Sequence, residues 1–364
     1  MTPRQRVVEA LAHRTPARVP FAWNFGPTAE MDNVLTAHLR EMGYDWPTVR
    51  DAVDDIREVQ PEPLAAPDAD TDIWGIQRSA QSYGEGVYNE ISHYPLAGVT
   101  DPAALDAYPW PDPDPYDYEH FREQELAADP DGRRARKLSI ANSGNPFEIY
   151  CWMTGLEEAL INVLTQPDVV HAAMDRITGF FEAKMTRALS AAGDLIDIVY
   201  FADDLGGQRG LLMSRRAYRR VIRPYHARLF RLAKSLAPHA VVMLHTDGAV
   251  FDILPDLLDA GLEVLEAVQT DAAGMDPVRL KAAYGDRLSF HGGIPVQSLL
   301  PHGDPESVRA ETQRLVRVFG EGGGYIAAPT HAVQVGTPSE NVLAMLRAAL
   351  GEDDFAAALD AASL

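Results

Sequence analysis

The sequence predicts a single (β/α)8 barrel of the TIM type that spans residues 1–364. From residue 137 onward, short apolar runs alternate with longer segments of helical periodicity, a pattern typical of parallel β/α architecture. Two earlier apolar runs complete a set of eight strands. No early strand is followed by the glycine-rich turn of a dinucleotide-binding fold. We therefore expect a closed barrel rather than an open doubly wound sheet, and no second domain.

Local signals place the individual elements. A helix is expected from Pro3, because Thr2 and Gln5 form a capping-box pattern ahead of the apolar Val7 and Val8. Strands are expected at 19–24, within 72–91, and at 137–141, 196–202, 240–244, 262–267, 288–290 and 325–328. Helices are expected between the later strands, near 155–192, 214–236, 250–260, 276–284, 304–319 and 338–350.

Residues 60–118 do not follow this alternation, and we expect them to form an irregular excursion packed on the barrel. The stretch from Pro95 to Pro115 contains six prolines. Neither a helix nor a central strand tolerates that density, because proline lacks the backbone N–H that both structures use.

The charge balance excludes several classes of function. The 53 acidic and 32 basic residues give a formal net charge of −21. Nucleic acids and anionic membrane surfaces both require a basic footprint, so we expect neither as a partner. Apolar residues make up 46% of the chain, and no apolar run approaches the roughly 20 residues of a membrane span. With one cysteine, Cys151, and a charged first segment, the protein is expected to be cytoplasmic.

The carboxyl ends of the strands form the active-site face of a β/α barrel, so the residues that follow each apolar run are the candidates. Polar groups at these ends are the histidines His245, His291 and His331 and the carboxylates Asp203, Asp204, Asp247 and Glu266. Imidazole and carboxylate groups converging on one barrel mouth suit a divalent metal. The alternative is that the carboxylates bind substrate directly or cap the following helices.

Within this set, His245 and Asp247 are expected to face one ion, because they stand two residues apart around a strand end, and His331 is expected to close the site. Zinc, iron and manganese all accept such ligands. Asp203 or Asp204 is expected to orient substrate or to handle a proton, with a purely loop-forming role as the alternative. The candidate substrate contacts are Asn24, Asn145, Tyr150, Gln269 and His291.

Several segments resemble the uroporphyrinogen decarboxylase superfamily. The resemblance covers nearly the whole chain, beginning with the N-terminal residues 1–20. Its most specific segments are 201–206, 245–248, 261–269, 291–294 and 323–341. It implies a (β/α)8 barrel that forms a homodimer.

One chemistry of this superfamily is the decarboxylation of a porphyrinogen, whose carboxylates are held by arginines near the N-terminus. The matching place in this chain reads Trp23-Asn24-Phe25-Gly26-Pro27-Thr28, and no arginine follows before Arg40. A polyanionic tetrapyrrole would lack its main counter-charge in a protein of net charge −21. The sequence therefore argues against a porphyrin substrate.

The other chemistry is that of zinc-dependent methyltransferases, which move a methyl group between a corrinoid and a thiol. Their metal is held by a His-x-Cys pair after one strand and a cysteine after the last strand. Here His245 matches the histidine, Asp247 and His331 stand where the cysteines would be, and Glu266 matches an acidic position that can join the metal. The resemblance thus implies zinc first, with iron or manganese as alternatives because the ligands are harder, and a corrinoid protein as the methyl partner.

We therefore expect a metal-dependent methyl- or alkyltransferase that acts on a small molecule. The metal would activate a nucleophile or polarise a methyl donor, and His245 would be a catalytic residue together with Asp203 or Asp204. A decarboxylase or lyase acting on a smaller carboxylated substrate is the first alternative. A non-catalytic barrel that binds a small molecule or a corrinoid is the second.

Overall fold

The computed structural model describes residues 1–65, 68, 71–83, 86–139 and 146–364. Its central feature is a parallel sheet of seven strands in the order β1-β4-β5-β8-β9-β10-β11. The described strands are β1 (Ile56–Val59), β2 (Gln77–Tyr83), β3 (Gly86–His93), β4 (Ala135–Ser139), β5 (Ile198–Ala202), β6 (Gly206–Gly207), β7 (Gly210–Leu211), β8 (Val241–His245), β9 (Val264–Ala267), β10 (Ser289–Ile294) and β11 (Tyr325–Pro329).

The two edges of this sheet are joined by residues 20–22, which act as the eighth strand. Phe21 forms a parallel bridge with Ala327 of β11, where the Ala22 N–H donates to the Ala327 carbonyl (3.1 Å). On the other side, the Asp55 N–H, immediately before β1, donates to the Phe21 carbonyl (2.9 Å). The sheet therefore closes on itself, and the predicted (β/α)8 TIM barrel is confirmed.

Helices connect the strands and surround the sheet. They are α1 (Pro3–Leu11), α2 (Ala29–Glu41), α3 (Trp46–Val53), α4 (Phe121–Ala128), α5 (Pro146–Thr154), α6 (Leu156–Thr165), α7 (Pro167–Ala192), α8 (Arg215–Ala217), α9 (Arg223–Leu236), α10 (Leu254–Ala260), α11 (Pro277–Tyr284), α12 (Leu299–His302), α13 (Pro305–Gly320), α14 (Ser339–Leu350) and α15 (Glu352–Ala361). None of the described helices is both long and apolar enough to cross a membrane.

The amino-terminal end of the barrel is closed by α1, which begins with the predicted capping box. The Gln5 N–H donates to Thr2 Oγ1 (3.2 Å), and the Thr2 N–H donates to Gln5 Oε1 (2.9 Å). The buried carboxylate of Asp55 then ties this helix to the seam of the sheet. It accepts hydrogen bonds from Arg6 (2.7 Å) and from the Phe21 N–H (3.0 Å). These charge-assisted contacts hold the eighth strand in place.

The second barrel strand is β1, and the prediction that it lies within 72–91 is wrong. Two of the four residues of β1 are charged, so it lacks the apolar run on which the prediction depended. Arg57 pairs with Glu125 of α4 (3.2 Å), and Glu58 pairs with the buried Lys137 of β4 (3.1 Å). The segment that was predicted instead forms an antiparallel hairpin of β2 and β3, outside the seven-stranded sheet.

Other strand boundaries differ from the prediction in ways that affect the site. β4 begins at Ala135 rather than at Lys137, and residues 140 and 141, predicted to complete it, lie outside the described part of the chain. β10 continues to Ile294, so His291 lies inside a strand rather than after it. The sequence pattern did not predict that β10 continues past Phe290, because Gly292 and Gly293 follow and glycine is depleted in strands.

Candidate metal centre

Three of the predicted ligands lie together at the carboxyl ends of two strands. His245 is the last residue of β8, Asp247 follows two residues later, and His331 follows β11. The nearest ligand atoms of these three side chains all lie within 4.8 Å of one another. His245 is buried, whereas Asp247 and His331 are partly accessible. The structure therefore brings together two imidazoles and one carboxylate from two loops, and the two histidines lie 86 residues apart in the sequence.

The fourth predicted ligand, Glu266, lies behind His245 on the neighbouring strand β9, where the two residues pair in register. Its Oε2 is 3.3 Å from His245 Nδ1, and the carboxylate is fully buried. Burial alone would destabilise both charges, but each group stabilises the charge of the other. The pKa of Glu266 is consequently lowered and that of His245 is raised. This arrangement fixes the imidazole through Nδ1 and leaves Nε2 for a ligand, as carboxylates behind metal-binding histidines do.

His331 is held differently from His245. Its Nδ1 accepts a hydrogen bond from the Ala332 N–H (2.8 Å), which leaves the ring proton of the neutral imidazole on Nε2. To bind an ion through Nε2, the ring must move this proton to Nδ1 and give up the hydrogen bond. Burial and the neighbouring His245 lower the pKa of His331, which favours the neutral imidazole that metals bind. Burial, with the nearby Asp204 and Glu266, raises the pKa of Asp247 to about 6.

The loops after β5 and β8 are locked against each other by backbone contacts, and this positions Asp247. The Asp247 N–H donates to Asp204 Oδ1 (2.9 Å), and the Ala249 N–H donates to the Gly207 carbonyl (2.9 Å). Gly248 has a φ of +81°, and a Cβ at that position would lie only 2.6 Å from the Gly207 carbonyl oxygen. The close approach therefore requires glycine. Asp204 itself lies at the mouth, with Oδ1 3.9 Å from His245 Nε2.

Asp203, predicted together with Asp204 as a catalytic candidate, points away from the mouth. It is fully buried, and its carboxylate accepts hydrogen bonds from the N–H groups of Phe147 (3.2 Å) and Glu148 (2.7 Å) at the start of α5. His226 Nε2 lies 2.8 Å from the same carboxylate, and its Nδ1 lies 2.9 Å from the Tyr218 hydroxyl. Asp203 thus fixes α5 and α9 relative to β5, and the structure does not bring it to the metal ligands.

Two residues at the mouth were not predicted. Phe25 packs its ring against both imidazoles, with centroid distances of 5.1 Å to His245 and 4.5 Å to His331. Glu148 faces a cavity of about 310 Å³ together with Asp204. Burial, followed by the charges of Asp204 and Asp203, raises the pKa of Glu148 well above its ordinary value. An acidic residue in the first turn of a helix is ordinary in sequence, so no signal marked it.

Two of the predicted substrate contacts lie beside the ligands. Gln269 lines a cavity of about 450 Å³ that also exposes Asp247 and His331. The side-chain oxygen of Gln269 accepts a hydrogen bond from the Gly248 N–H (3.0 Å), so this side chain helps to hold the loop after β8. Asn24, buried after the eighth strand, donates to the Thr330 carbonyl (3.4 Å), next to His331.

The remaining predicted contacts are not in the mouth. The Tyr150 hydroxyl accepts a hydrogen bond from Asn162 of α6 (3.1 Å), so this side chain supports helix packing. His291 is buried within β10, beside Glu266 in register, and burial lowers its pKa to about 4. Asn145 lies outside the described residues.

The donor set fits a divalent metal ion. Two imidazole nitrogens and one carboxylate oxygen suit zinc, iron and manganese, and their ligand atoms lie within 4.8 Å of one another. Because the pKa of His245 is raised, an ion must displace the proton of this imidazole when it binds. Glu266 orients the ring of His245 from the Nδ1 side, whereas the Ala332 N–H holds the ring of His331 in the tautomer that carries its proton on Nε2. Such a site provides Lewis-acid chemistry next to two carboxyl groups, Asp204 and Glu148.

Comparison with known proteins places the chain in context. The family model for uroporphyrinogen decarboxylase (URO-D) matches residues 2–350. A uroporphyrinogen decarboxylase of Coxiella burnetii is 25% identical over 221 residues, which cover 57% of this chain and 56% of the relative. A methylated-thiol–coenzyme M methyltransferase of Methanosarcina mazei is 28% identical over 208 residues, which cover 56% of this chain and 50% of the relative. The chain thus matches only about half the length of these curated relatives.

A solved structure, a methyltransferase from Methanosarcina mazei, superimposes with a TM-score of 0.64. The superposition covers 96% of this chain and 98% of the other, at 18% sequence identity. At that identity the likeness shows the fold, and it agrees with the barrel described above.

Proposed function

The chain belongs to the uroporphyrinogen decarboxylase family, and within it we propose that the protein is a metal-dependent methyl- or alkyltransferase. The observation that carries the proposal is the cluster of His245, Asp247 and His331 at the barrel mouth. The similarity to the methylated-thiol–coenzyme M methyltransferase of Methanosarcina mazei supports it. Zinc is our first candidate for the metal, and iron and manganese follow because the ligands are nitrogen and oxygen.

In this proposal the three side chains hold the ion, and a bound divalent ion supplies a Lewis acid that favours the deprotonated form of a nucleophile. Glu266 holds His245 through Nδ1 and compensates the positive charge of the site. Asp204 fixes the loop that carries Asp247 through the 2.9 Å hydrogen bond to its backbone. The chain therefore places the ligands before substrate arrives.

In this proposal the carboxyl group of Glu148 is the general acid, which donates a proton to the leaving group. Burial and the neighbouring carboxylates raise its pKa well above the ordinary value, which favours the protonated form, and it shares a cavity with Asp204. When a methylated donor transfers its methyl group to the corrinoid, the departing thiolate or alkoxide takes a proton from Glu148. When a thiol or alcohol accepts the methyl group instead, the proton that it releases passes to Asp204. Phe25 covers both imidazoles and presents an apolar wall to an alkyl group.

The methyl partner in this proposal is a corrinoid protein, and the acceptor or donor is a small molecule. A homodimer is the assembly that we propose, from the resemblance to the family. The net charge of −21 favours partners with a basic surface around their own cofactor.

A decarboxylase or lyase acting on a small carboxylated substrate is the second candidate. The specific observation in its favour is Glu148, a carboxyl group whose raised pKa favours the protonated form that can protonate a carbanion. The absence of an arginine between Trp23 and Arg40 makes a porphyrinogen a poor substrate for it.

The experiment that separates these candidates uses protein loaded in turn with zinc, iron or manganese. It is mixed with methylcob(III)alamin and a thiol, and methyl transfer would yield the thioether and cob(I)alamin, followed by the loss of the methylcobalamin absorbance. The proposal predicts transfer by the loaded protein and none by His245→Ala. Release of CO₂ from small carboxylates without methyl transfer would favour the lyase. Absence of both activities would favour a binding barrel.

A further inference from the structure

A separate cavity lies away from the metal ligands. It has a volume of about 880 Å³ and lies between residues 71–78, which follow β1, and the helices α5 and α7. Its walls are formed mainly by the apolar faces of Trp74, Ile149, Trp152 and Phe180. Neither the metal site nor the proposed methyl transfer uses it.

A single ammonium group opens into this apolar cavity. Lys184 of α7 is 3% exposed, and it lines the cavity. Its Nζ lies 3.8 Å from the centre of the Tyr116 ring, and it makes no hydrogen bond or ion pair with any residue that the structure describes. Burial lowers the pKa of Lys184 to about 8, so the group is still protonated at neutral pH. Among the described residues the Tyr116 ring is the contact that we find for this ammonium, and an aromatic ring replaces only part of the hydration that a buried ammonium loses.

The second cation of the cavity is already neutralised. Arg78 donates to Asp72 (2.7 Å), and its guanidinium lies 5.3 Å from the centre of the Trp152 ring. The acidic side chain of Glu62, which also lines the cavity, disfavours a ligand with several negative charges. A ligand with one negative charge would therefore match the one positive charge of Lys184.

We propose that this cavity binds a small organic monoanion with a planar apolar body, such as an aromatic carboxylate. The carboxylate pairs with the Lys184 ammonium, and the ring packs between Trp152 and Phe180. A cavity of this size and lining is typical of small-molecule sites. The site is separate from the metal ligands, although Trp152 also lines the smaller cavity that holds Glu148 and Asp204.

Calorimetric titration of the full-length protein with benzoate and with its neutral analogue benzamide tests the proposal. Wild type is expected to bind benzoate at least roughly tenfold more tightly than benzamide, because only benzoate pairs with the ammonium. Lys184→Met is expected to remove that difference. Arg187→Met, which removes a cation from the same helix where it pairs with Asp114 outside the cavity, is the matched control and keeps it.

His245→Ala separates this site from the metal centre, and it is expected to bind benzoate as wild type does. Equal affinity of wild type for benzoate and benzamide would overturn the proposal without the use of any variant. Undiminished benzoate binding by Lys184→Met, or loss of binding in His245→Ala, would also overturn it. The proposed methyl transfer is measured independently, so either proposal can fail while the other stands.

Discussion

Glu266 and His245 lie side by side on β9 and β8, with Oε2 of the carboxylate 3.3 Å from Nδ1 of the imidazole. The carboxylate is fully buried, and its contact with His245 is an ion pair that lacks hydrogen-bond geometry. A buried carboxylate in this state is stabilised only by nearby positive charge. The charge of Glu266 inside the barrel therefore affects the protonation of His245 at the mouth.

Replacing Glu266 with glutamine preserves the shape of the side chain and removes its charge. We expect the affinity for zinc to fall by about 10- to 100-fold, because the imidazole loses the carboxylate that orients it and increases its basicity. Competition with a chromogenic chelator measures the change. Glu263→Gln is the matched control, since Glu263 precedes the same strand but pairs with Lys234 on the outside (3.1 Å). Equal losses in both variants would contradict the role of Glu266.

Replacement by asparagine is expected to have different effects at the adjacent residues Asp203 and Asp204: the first variant should lose stability, and the second should lose activity. Asp203→Asn breaks a buried pair with His226 and weakens the start of α5, so the free energy of unfolding should fall by about 3 kcal/mol. Asp204→Asn should change stability by less than about 1 kcal/mol and reduce the turnover of the metal-loaded protein. Urea denaturation and the methyl-transfer assay measure the two effects. A severe loss of stability in Asp204→Asn would show that these assignments are reversed.

Glu148→Gln imitates the protonated carboxyl group but has no proton to give. We expect zinc binding to persist and the rate to fall by about 10²- to 10⁴-fold, with loss of the alkaline limb of the pH–rate profile. That limb follows from the raised pKa of Glu148, because activity declines as the acid loses its proton. Glu157→Gln, an exposed position on α6, should leave rate and profile unchanged. A profile identical to that of wild type in Glu148→Gln would exclude Glu148 as the acid.

The burial of Lys184 is expected to make the free energy of unfolding of the protein depend on pH. Its pKa is about 8 in the folded protein and 10.5 as an ordinary lysine, so below pH 8 the folded state carries a poorly solvated charge. Lys184→Met should therefore be more stable than wild type at pH 7, by roughly 3 kcal/mol at 1.36 kcal/mol per pKa unit. Between pH 8 and 10.5 the unfolded chain of wild type still binds the proton, whereas the folded protein has lost it. The free energy of unfolding of wild type therefore rises with pH, and the stability difference between wild type and Lys184→Met shrinks.

Thermal denaturation of both proteins across this range measures the effect in the absence of any ligand. A stability difference between wild type and Lys184→Met that stays constant from pH 7 to pH 10.5 would contradict a depressed pKa. Arg187→Met provides the comparison, since an exposed arginine does not titrate in this range.

The barrel was predictable from the sequence because seven of its strands carry apolar runs between helices with clear start signals. β1 was not, because Arg57 and Glu58 interrupt it. Their charges are neutralised by Glu125 and Lys137, and these partners lie 68 and 79 residues further along the chain. A local pattern does not contain such long-range pairing.

The ligand cluster was predictable for a geometric reason, since the carboxyl ends of parallel strands meet at one face. Which side chain turns toward that face was harder to predict. Asp203 and Asp204 are identical in type and adjacent in sequence, yet only Asp204 lies at the mouth. Glu148 was missed because its environment is created by loops that are distant in sequence.

Metal content tests the central claim most directly. The purified protein, treated with chelator and then equilibrated with zinc, iron or manganese, is freed of unbound ions and analysed by mass spectrometry, with folding checked by circular dichroism. The account predicts about one ion per chain for at least one metal, and loss of that ion in His245→Ala and His331→Ala while the fold is retained. Absence of stoichiometric metal in wild type, or retention of the ion by both variants at the level of wild type, would contradict it.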